Sequence, residues 1–504
     1  MEEIHSDKNT VLLWLDNGPY AYIHFAIAHA LSKISNSEFV GIVTNKQDVS
    51  FFENQKYLKF KKLFYYPECY QEKSSYDSEK LKEFEKKYEL DLWLDIFSDR
   101  FFHKYRSDFH VFTPDEILTI IENSLHFFIN ILEEFHPKLI LMQTAGENVA
   151  NLLFYRLAKK LEFNILMTNI VHLHNRIAIS DNLITREISE EFQKILSSNQ
   201  NISKEYDENF IKKESLAETV RIQSSFSFDN STLSQKIKHF AKRLSNDPES
   251  IYQNFGKTKS KMFKARYENH FKIKKREQFL NENSLKSIGN EKFLYFPLHT
   301  EPEAKILATA PFFSDQISLI ENIARSMPID YFLCVKEHPT QKSKSWRSIL
   351  DYQRILAIPN VKFFHPSVNS QDLISKSSGV IAISGSTAFE TLFFKKPVFL
   401  LAEDYYDVVS MVTKISEISK LPKLIKTSLN NFKFKNDELN AIIQATENIS
   451  ISVNYFSIMK DGIYLSSIQR NTNDSNVTLK HFEKFFKNYE NDFNLFAKTI
   501  SDKI

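Results

Sequence analysis

Short β-branched apolar runs alternate with stretches of helical spacing along the start of this chain. Val11–Leu15 reads as a buried strand, Asp16-Asn17-Gly18-Pro19 as a turn, Ile23–Ile34 as a helix and Phe39–Thr44 as the next strand. That βαβ opening predicts a parallel sheet. A polar region rich in Lys, Glu and Tyr follows, from Lys46 to Arg106, and predicts irregular helices. Pro114–Phe135 has the apolar stripe of an amphipathic helix with Pro at its start. Lys138–Met142 and Asn164–Ile170 read as strands flanking a helix over Glu147–Leu161, so the first half is expected to be doubly wound. Between Asp181 and Asn290 charged and Ser/Asn-rich segments alternate with helical ones, and strands are hard to find. The strand pattern restarts at Phe293–Pro297 and continues through Tyr331–Lys336, Val361–Phe364, Val380–Ile383 and Pro397–Leu401, with helices between them. Glu438–Ile504 reads as a helical tail.

These boundaries predict a first α/β domain over 1–180, a helical insertion over 181–290, a second α/β domain over 291–430, and helices over 431–504 that pack back on the first domain. A length of 504 residues fits two or three cores better than one. The net charge of +2 gives no global electrostatic reason to bind nucleic acid. Two cysteines, Cys69 and Cys334, make neither a disulfide framework nor a metal spacing, and point to a reducing, cytoplasmic setting. The first apolar run is broken by Asp16, unlike a signal peptide, and no run approaches the roughly 20 apolar residues of a membrane span. The chain spends 45 Phe against 8 Gly, so each glycine is worth attention.

Chemistry concentrates where strands end. Val380–Ile383 runs into Ser384-Gly385-Ser386-Thr387 and then a helix, an arrangement that presents unpaired amides and a positive dipole end to an anion. Gly385 permits close backbone approach. Glu390 fits two roles, the far member of a Thr387-x-x-Glu390 capping box or a partner for a ribose diol. Val335-Lys336-Glu337-His338-Pro339 delivers an imidazole to the C-terminal edge of another strand. There His338 either donates to a phosphate, with Lys336 beside it, or settles a turn. His299, Glu301 and Glu303 sit in a proline-fixed loop after Phe293–Pro297, and Asp315 reads as a helix cap. On the first-domain side, Asp16 is a strand-end carboxylate that suits either a general base for a hydroxyl or an Asx turn, with Gly18 beside it. Gln143 and Glu147 also flank a strand end and serve either as acceptor contacts or as caps.

No Gly-x-x-x-x-Gly-Lys loop, Gly-x-Gly-x-x-Gly turn, Asp-x-Asp pair or Gly-x-Ser-x-Gly elbow occurs. His172 and His174 have no acidic ligands near them in sequence, so no metal site is predicted. The segment 257–279 is strongly basic with interleaved aromatics, which suits either an anionic membrane surface or a solvated face.

The ordered series Tyr295-Phe296-Pro297-Leu298-His299, Pro302-Glu303, Asp315-Gln316, Val335-Lys336-Glu337-His338-Pro339, Ile383-Ser384-Gly385-Ser386-Thr387-x-x-Glu390 and Lys396-Pro397-Val398 resembles the bacterial capsule and surface-polysaccharide biosynthesis proteins, the group that includes the polysaccharide Kdo transferases. The resemblance covers about Phe293–Tyr405; the first half matches only in layout. It implies a GT-B glycosyltransferase, with two Rossmann-like domains facing across a cleft. The second domain would hold a nucleotide sugar, CMP-Kdo by preference, and the first a surface-polysaccharide or lipid-linked glycan acceptor. By the same analogy His338 contacts the donor phosphate. Lys336, His299, Glu301, Ser384, Gly385, Ser386, Thr387 and Glu390 line the donor site, Gly18, Gln143 and Glu147 meet the acceptor, and Asp16 is the base. Asp16-Asn17-Gly18 has Asn in the middle where related sialyltransferases carry a second acid, which leaves the base and the stereochemical course open. No cofactor and no metal are expected beyond the nucleotide-sugar substrate. The alternatives are an epimerase or phosphotransfer enzyme on the same scaffold, and a non-catalytic assembly protein.

Overall fold

The computed structural model describes residues 9–71, 74–102, 109–198, 206–214, 252–472 and 474–503. In the first half β1 (Asn9–Leu15), β2 (Ser37–Val43), β3 (Phe60–Tyr65), β4 (Leu139–Gln143) and β5 (Ile165–Ile170) form a parallel sheet. An antiparallel β6 (Arg176–Ser180) hairpins back on β5, giving the order β6-β5-β4-β1-β2-β3. In the second half β7 (Phe293–Pro297), β8 (Phe332–Lys336), β9 (Val361–Phe364), β10 (Val380–Ala382), β11 (Val398–Leu400) and β12 (Val412–Lys414) form an all-parallel sheet ordered β12-β11-β10-β7-β8-β9. Both sheets reverse their strand order beside the first strand, between β1 and β4 and between β7 and β10. This is the doubly wound α/β architecture, with two Rossmann-like sheets, that the pattern predicts. Their strands are near-continuous apolar runs because helices cover both faces.

One strand overturns the expectation for 46–106, where only irregular helices are predicted. Phe60–Tyr65 is β3, the edge of the first sheet, paired to β2. Lys61 and Lys62 break its apolar pattern, yet both are exposed, and charged side chains suit an edge strand. The hairpin strand β6 is likewise absent from the sequence pattern. In the region 181–290 the described helices are Arg186–Ser197, Glu208–Glu214 and Lys259–Asn283, while 215–251 lies outside the described residues. The helix that precedes β9 is Ile349–Leu356, and Ser348 and Asp351 form its capping box.

The tail is tied to the first sheet by backbone and by aromatic packing. A short β13 (Ser450–Ser452) adds antiparallel to β6. Gly462 of the helix Tyr455–Thr472 lies so near Pro19 that an added Cβ would come within 3.0 Å of the Pro19 Cβ. Phe482 is fully buried against Phe25, Phe51 and Tyr57, with ring centroids 5.0, 5.8 and 5.2 Å away. The two halves also share a core. Val171, Leu173, Ile188 and Phe192 from the first half pack in one cluster with Phe389, Tyr405 and Ile442.

Phe482→Ala removes a ring from the centre of the tail's contact, and truncating a buried Phe costs about 3–5 kcal/mol. A urea denaturation series is expected to show that loss as a lower midpoint with an unchanged slope; a loss below about 1 kcal/mol would mean that the tail packs without it.

Candidate active site

The strand order decides where ligands can sit. In an open α/β sheet the crevice opens beyond the carboxyl ends of strands at the point where the order reverses. In the second sheet that point brings together the loop after β7, carrying His299, and the loop after β10, carrying Ser384 and Gly385. In the first sheet it brings together Asp16 after β1 and Gln143 at the end of β4.

At the second switch point the helix Ser386–Phe393 starts from Gly385, whose φ of 104° lies where glycine is favoured. No side chain caps this helix. The capping-box reading of Thr387 and Glu390 is therefore replaced: Gly385 is the N-cap and Thr387 already lies inside the helix. A methyl group at Gly385 would come within 3.4 Å of His299 Cε1, so the imidazole faces the helix start. The His299 Nδ1 pairs with Glu303 at 3.0 Å. Its Nε2 and the Ser384 Oγ are both buried without a protein hydrogen-bond partner. Burial pulls the Glu303 carboxyl up, but His299, His338 and Lys305 outweigh it and hold the group below its ordinary value.

His338 is close enough to Glu303 for each to feel the other's charge. The backbone N–H of Thr340 donates to its Nδ1 at 3.3 Å, and the Thr300 and Thr340 hydroxyls lie 3.0 and 2.6 Å from the same nitrogen. Accepting at Nδ1 fixes the neutral tautomer with its proton on Nε2. Burial, with the Glu303 charge opposing it, lowers the His338 pKa to about 4, so the ring is neutral at physiological pH.

Three other donor-site candidates are held by protein partners. Glu301 pairs with the buried Arg347, which also reaches the Glu337 carboxylate at 3.0 Å and the His299 carbonyl at 2.5 Å. Lys336 is buried on the sheet face that carries Cys334, its Nζ 2.6 Å from Ser370 Oγ; burial lowers its pKa to about 8 despite the Glu390 charge. Glu390 is buried with it. Arg347 escaped the sequence reading because its partners lie on two other loops, after β7 and after β8.

Asp404 also escaped it. Its Oδ2 accepts from Gly385 N–H at 3.2 Å and lies 3.2 Å from Lys305 Nζ and 3.1 Å from His172 Nε2. The expectation that His172 lacks an acidic neighbour is thus corrected by a residue more than two hundred positions away. His172 also stacks on Tyr405, ring centroids 5.2 Å apart, and its N–H donates to the Tyr405 hydroxyl. Burial would raise the Asp404 pKa, but Lys305 and His172 overcome it and hold the carboxyl far below the usual range.

In the first half Asp16 is buried and receives the Asn17 N–H at 2.6 Å, the Thr44 hydroxyl at 3.1 Å, the Asn151 amide at 3.4 Å and the Gln143 amide. Its carboxylate lines a cavity of about 320 Å³ together with Gly18 and Glu147. Gln143 holds Asp16 from behind and is not among the lining residues. Glu147 pairs with Arg100 at 2.8 Å, and Arg470 from the tail enters the same cavity and bonds Asn17. Tyr66, Tyr70 and Tyr252 supply aromatic wall. Among the described residues, the cavity takes no lining from 291–430. Between the two sites, Gly146 packs so tightly on the helix Ala304–Thr309 that a Cβ there would come within 2.6 Å of Ala308 Cβ. Among the described residues no group of three or more His, Cys, Asp or Glu is placed to hold a metal ion, and no helix is long and apolar enough to cross a membrane.

Asp404→Ala leaves His172, Lys305 and the Gly385 N–H facing a vacant position. Breaking a buried ion pair by removing one partner costs about 3–5 kcal/mol. Thermal denaturation is expected to show this loss for Asp404→Ala; an unchanged Tm would mean that the halves are held elsewhere.

Between the ordinary histidine value of 6.5 and about 4, the unfolded chain protonates at His338 while the folded chain does not. The unfolded state then binds more protons, so this group makes stability fall as pH falls through that window. His338→Gln is expected to flatten the stability profile between pH 6.5 and 4 in denaturant titrations. A profile parallel to wild type would show that the ring protonates equally easily in both states.

A family model described as capsule polysaccharide biosynthesis protein matches residues 187–423. No curated protein matches the chain. Among solved structures, the β-Kdo 2,7 transferase KpsC of Thermosulfurimonas dismutans aligns at 12% identity over 67% of this chain and 87% of that one, with a TM-score of 0.32. The UDP-GlcNAc 2-epimerase of Methanocaldococcus jannaschii aligns at 15% identity over 87% and 99%, with a TM-score of 0.25. The Staphylococcus aureus MnaA–UDP structure aligns at 11% over 88% and 95%, with a TM-score of 0.28. Likenesses this weak say nothing of the reaction. Over the stretch 187–423, which carries β7 to β12 and the helix that starts at Gly385, the chain is similar to the capsule polysaccharide biosynthesis proteins.

Proposed function

We propose that the chain is a glycosyltransferase that moves a sugar from a nucleotide-sugar donor, CMP-linked and Kdo-like by preference, to a surface-polysaccharide or lipid-linked glycan acceptor in the cytoplasm. The observation that carries the reading is the second switch point, where two buried polar atoms without protein partners, Ser384 Oγ and His299 Nε2, flank an uncapped helix start. Buried polar atoms are normally hydrogen-bonded, so such a pair beside helix amides marks the place for a ligand's oxygens. The family match over the same residues supports a saccharide substrate.

In this reading the donor phosphate lies against the Ser386 and Thr387 amides. The Ser384 and Ser386 hydroxyls and the Nε2–H of the neutral His338 are available to it as donors. Glu303 orients His299. Glu301, Lys336 and Glu390 act beneath this layer by fixing the loop and the helix. The leaving phosphate gains negative charge as the glycosidic bond breaks, and preorganised N–H donors stabilise it without a metal. Asp404 accepts the Gly385 N–H, which fixes the turn and leaves the Ser386 and Thr387 amides to the phosphate. The acceptor hydroxyl comes from the cavity in the first half, with Asp16 as the base and Gly18 and Glu147 along its wall. Closing the two halves around both substrates aligns them.

Thermal shift with CMP, UDP, GDP and CDP tests the donor half. Stabilisation by one nucleotide, lost in Ser384→Ala, is expected, and no shift with any of them would overturn the reading. His338→Ala is expected to keep the fold and lose at least about a hundredfold in transfer rate, the scale of removing one oxyanion donor. Asp16→Asn tests the base separately, since retained turnover would move that role elsewhere. Epimerised nucleotide sugar without acceptor would replace transfer by epimerisation.

A further inference from the structure

The helix Lys259–Asn283 takes no part in the site described above. It spans the molecule: Lys261 Nζ donates to the Phe109 carbonyl of the first half, while near the other end Arg276 donates to the Ser345 and Trp346 carbonyls of the second. Ile273 and Phe279 pack against the core of the second half, and Leu280 is buried within it. That contact accounts for one side of the helix. The opposite side carries Phe263, Tyr267 and Phe271, which are 63%, 61% and 52% exposed.

Spacing of i, i+4 and i+8 aligns these three rings in one stripe. Lys259 and Lys275 extend the same stripe at its two ends, both exposed, and Lys264 and Lys274 flank it. From Lys257 to Arg276 the sequence holds nine Lys or Arg and one acid, Glu268, although the whole chain carries only +2. A solvated helix is served by the lysines alone, whereas this face adds three rings that are each more than half exposed, Tyr267 and Phe271 in contact with centroids 4.8 Å apart. An interface of phospholipid headgroups takes both. Aromatic side chains enter the headgroup boundary, and basic side chains around them meet anionic phosphates.

We propose that this face docks the chain on an anionic lipid bilayer, with Phe263, Tyr267 and Phe271 entering the headgroup layer and Lys259, Lys264, Lys274 and Lys275 meeting its phosphates. Because the helix is anchored to both halves, docking there fixes the whole molecule relative to the membrane surface. The inference stands on the helix alone and does not depend on the sugar chemistry proposed above.

The test is co-sedimentation of the full chain with vesicles of phosphatidylcholine alone and of phosphatidylcholine containing phosphatidylglycerol. Binding is expected only to the anionic vesicles and is expected to weaken as salt rises. Phe263→Ser/Tyr267→Ser/Phe271→Ser is expected to abolish it, and Lys264→Gln and Lys274→Gln to cut partitioning about fivefold each. Circular dichroism of every variant reports whether the fold is intact. Equal binding to both vesicle types, no binding to either, or full binding by the folded triple variant would each overturn the proposal. So would a shift of the wild-type chain, but not the triple variant, from monomer to dimer without lipid, which would assign the face to a second copy. Nucleotide-induced thermal shift in the triple variant is expected to equal wild type, so this result and the donor-site reading fail separately.

Discussion

One carboxylate oxygen ties the helix start of the second site to the first half of the chain. Asp404 Oδ2 meets the Gly385 N–H, the Lys305 ammonium and the His172 imidazole, each within 3.2 Å. The three donors come from the helix start after β10, the helix that follows β7, and the turn between β5 and β6. A buried carboxylate is tolerated only when such partners surround it, so the interface and the helix start are ordered by the same interaction. The shared apolar cluster around Phe389 supplies area without direction. Tyr405 adds two directional bonds, its hydroxyl accepting from the His172 N–H and its carbonyl from the Ser189 hydroxyl, and with the charged contact these set which residue faces which.

Both candidate sites follow from topology before any side chain is considered. Each sheet reverses its order beside its first strand, which leaves the carboxyl ends of two adjacent strands uncovered by a crossover. The side chains that occupy these ends differ in kind. In the first half they are a carboxylate held by amides and a hydroxyl, within an aromatic cavity that also receives Arg100 and Arg470. In the second they are imidazoles, small hydroxyls and helix amides. In the function proposed above, the first group meets the acceptor hydroxyl and the second the donor phosphate. A transfer between two substrates needs that division.

The sequence was most legible where local rules act alone. The strands at Val11, Phe293 and Val380 announce themselves because parallel strands buried on both faces are continuous apolar runs. Gly385 was readable because a strand end, a small-residue turn and a helix start are contiguous in the chain, and His299 because a proline-fixed loop follows the strand Phe293–Pro297. The edge strand Phe60–Tyr65 was hidden, since exposure lets lysines into it and erases the alternation. Asp404, Arg347 and Arg470 were hidden for another reason. Each acts on residues far away in sequence, and nothing in the local pattern of a loop acid or a helix arginine says what the fold will bring beside it. Thr387 shows the reverse error: its spacing to Glu390 satisfies a capping box, but the turn at Gly385 starts the helix before Thr387 and leaves the first-turn amides without a side-chain cap.

The neutral state of His338 bears on the kind of chemistry available at the second site. A charged imidazolium would offer a stronger field to a phosphate, but this ring is buried and accepts the Thr340 N–H at Nδ1, so protonation requires both desolvation of charge and loss of that bond. The ring is thereby kept as a fixed-orientation donor whose proton always sits on Nε2. Lys336 follows the same logic one residue pair away: its ammonium is turned under the sheet toward Ser370, with the Glu390 charge favouring its protonated form. Formal positive charge in Lys336 and Arg347 is thus placed behind the site and that of Lys305 is paired with Asp404, while N–H and O–H dipoles face it. Such a surface orders an anion by direction more than by net attraction, which is the condition for gripping a phosphate while its charge changes and letting it go afterwards.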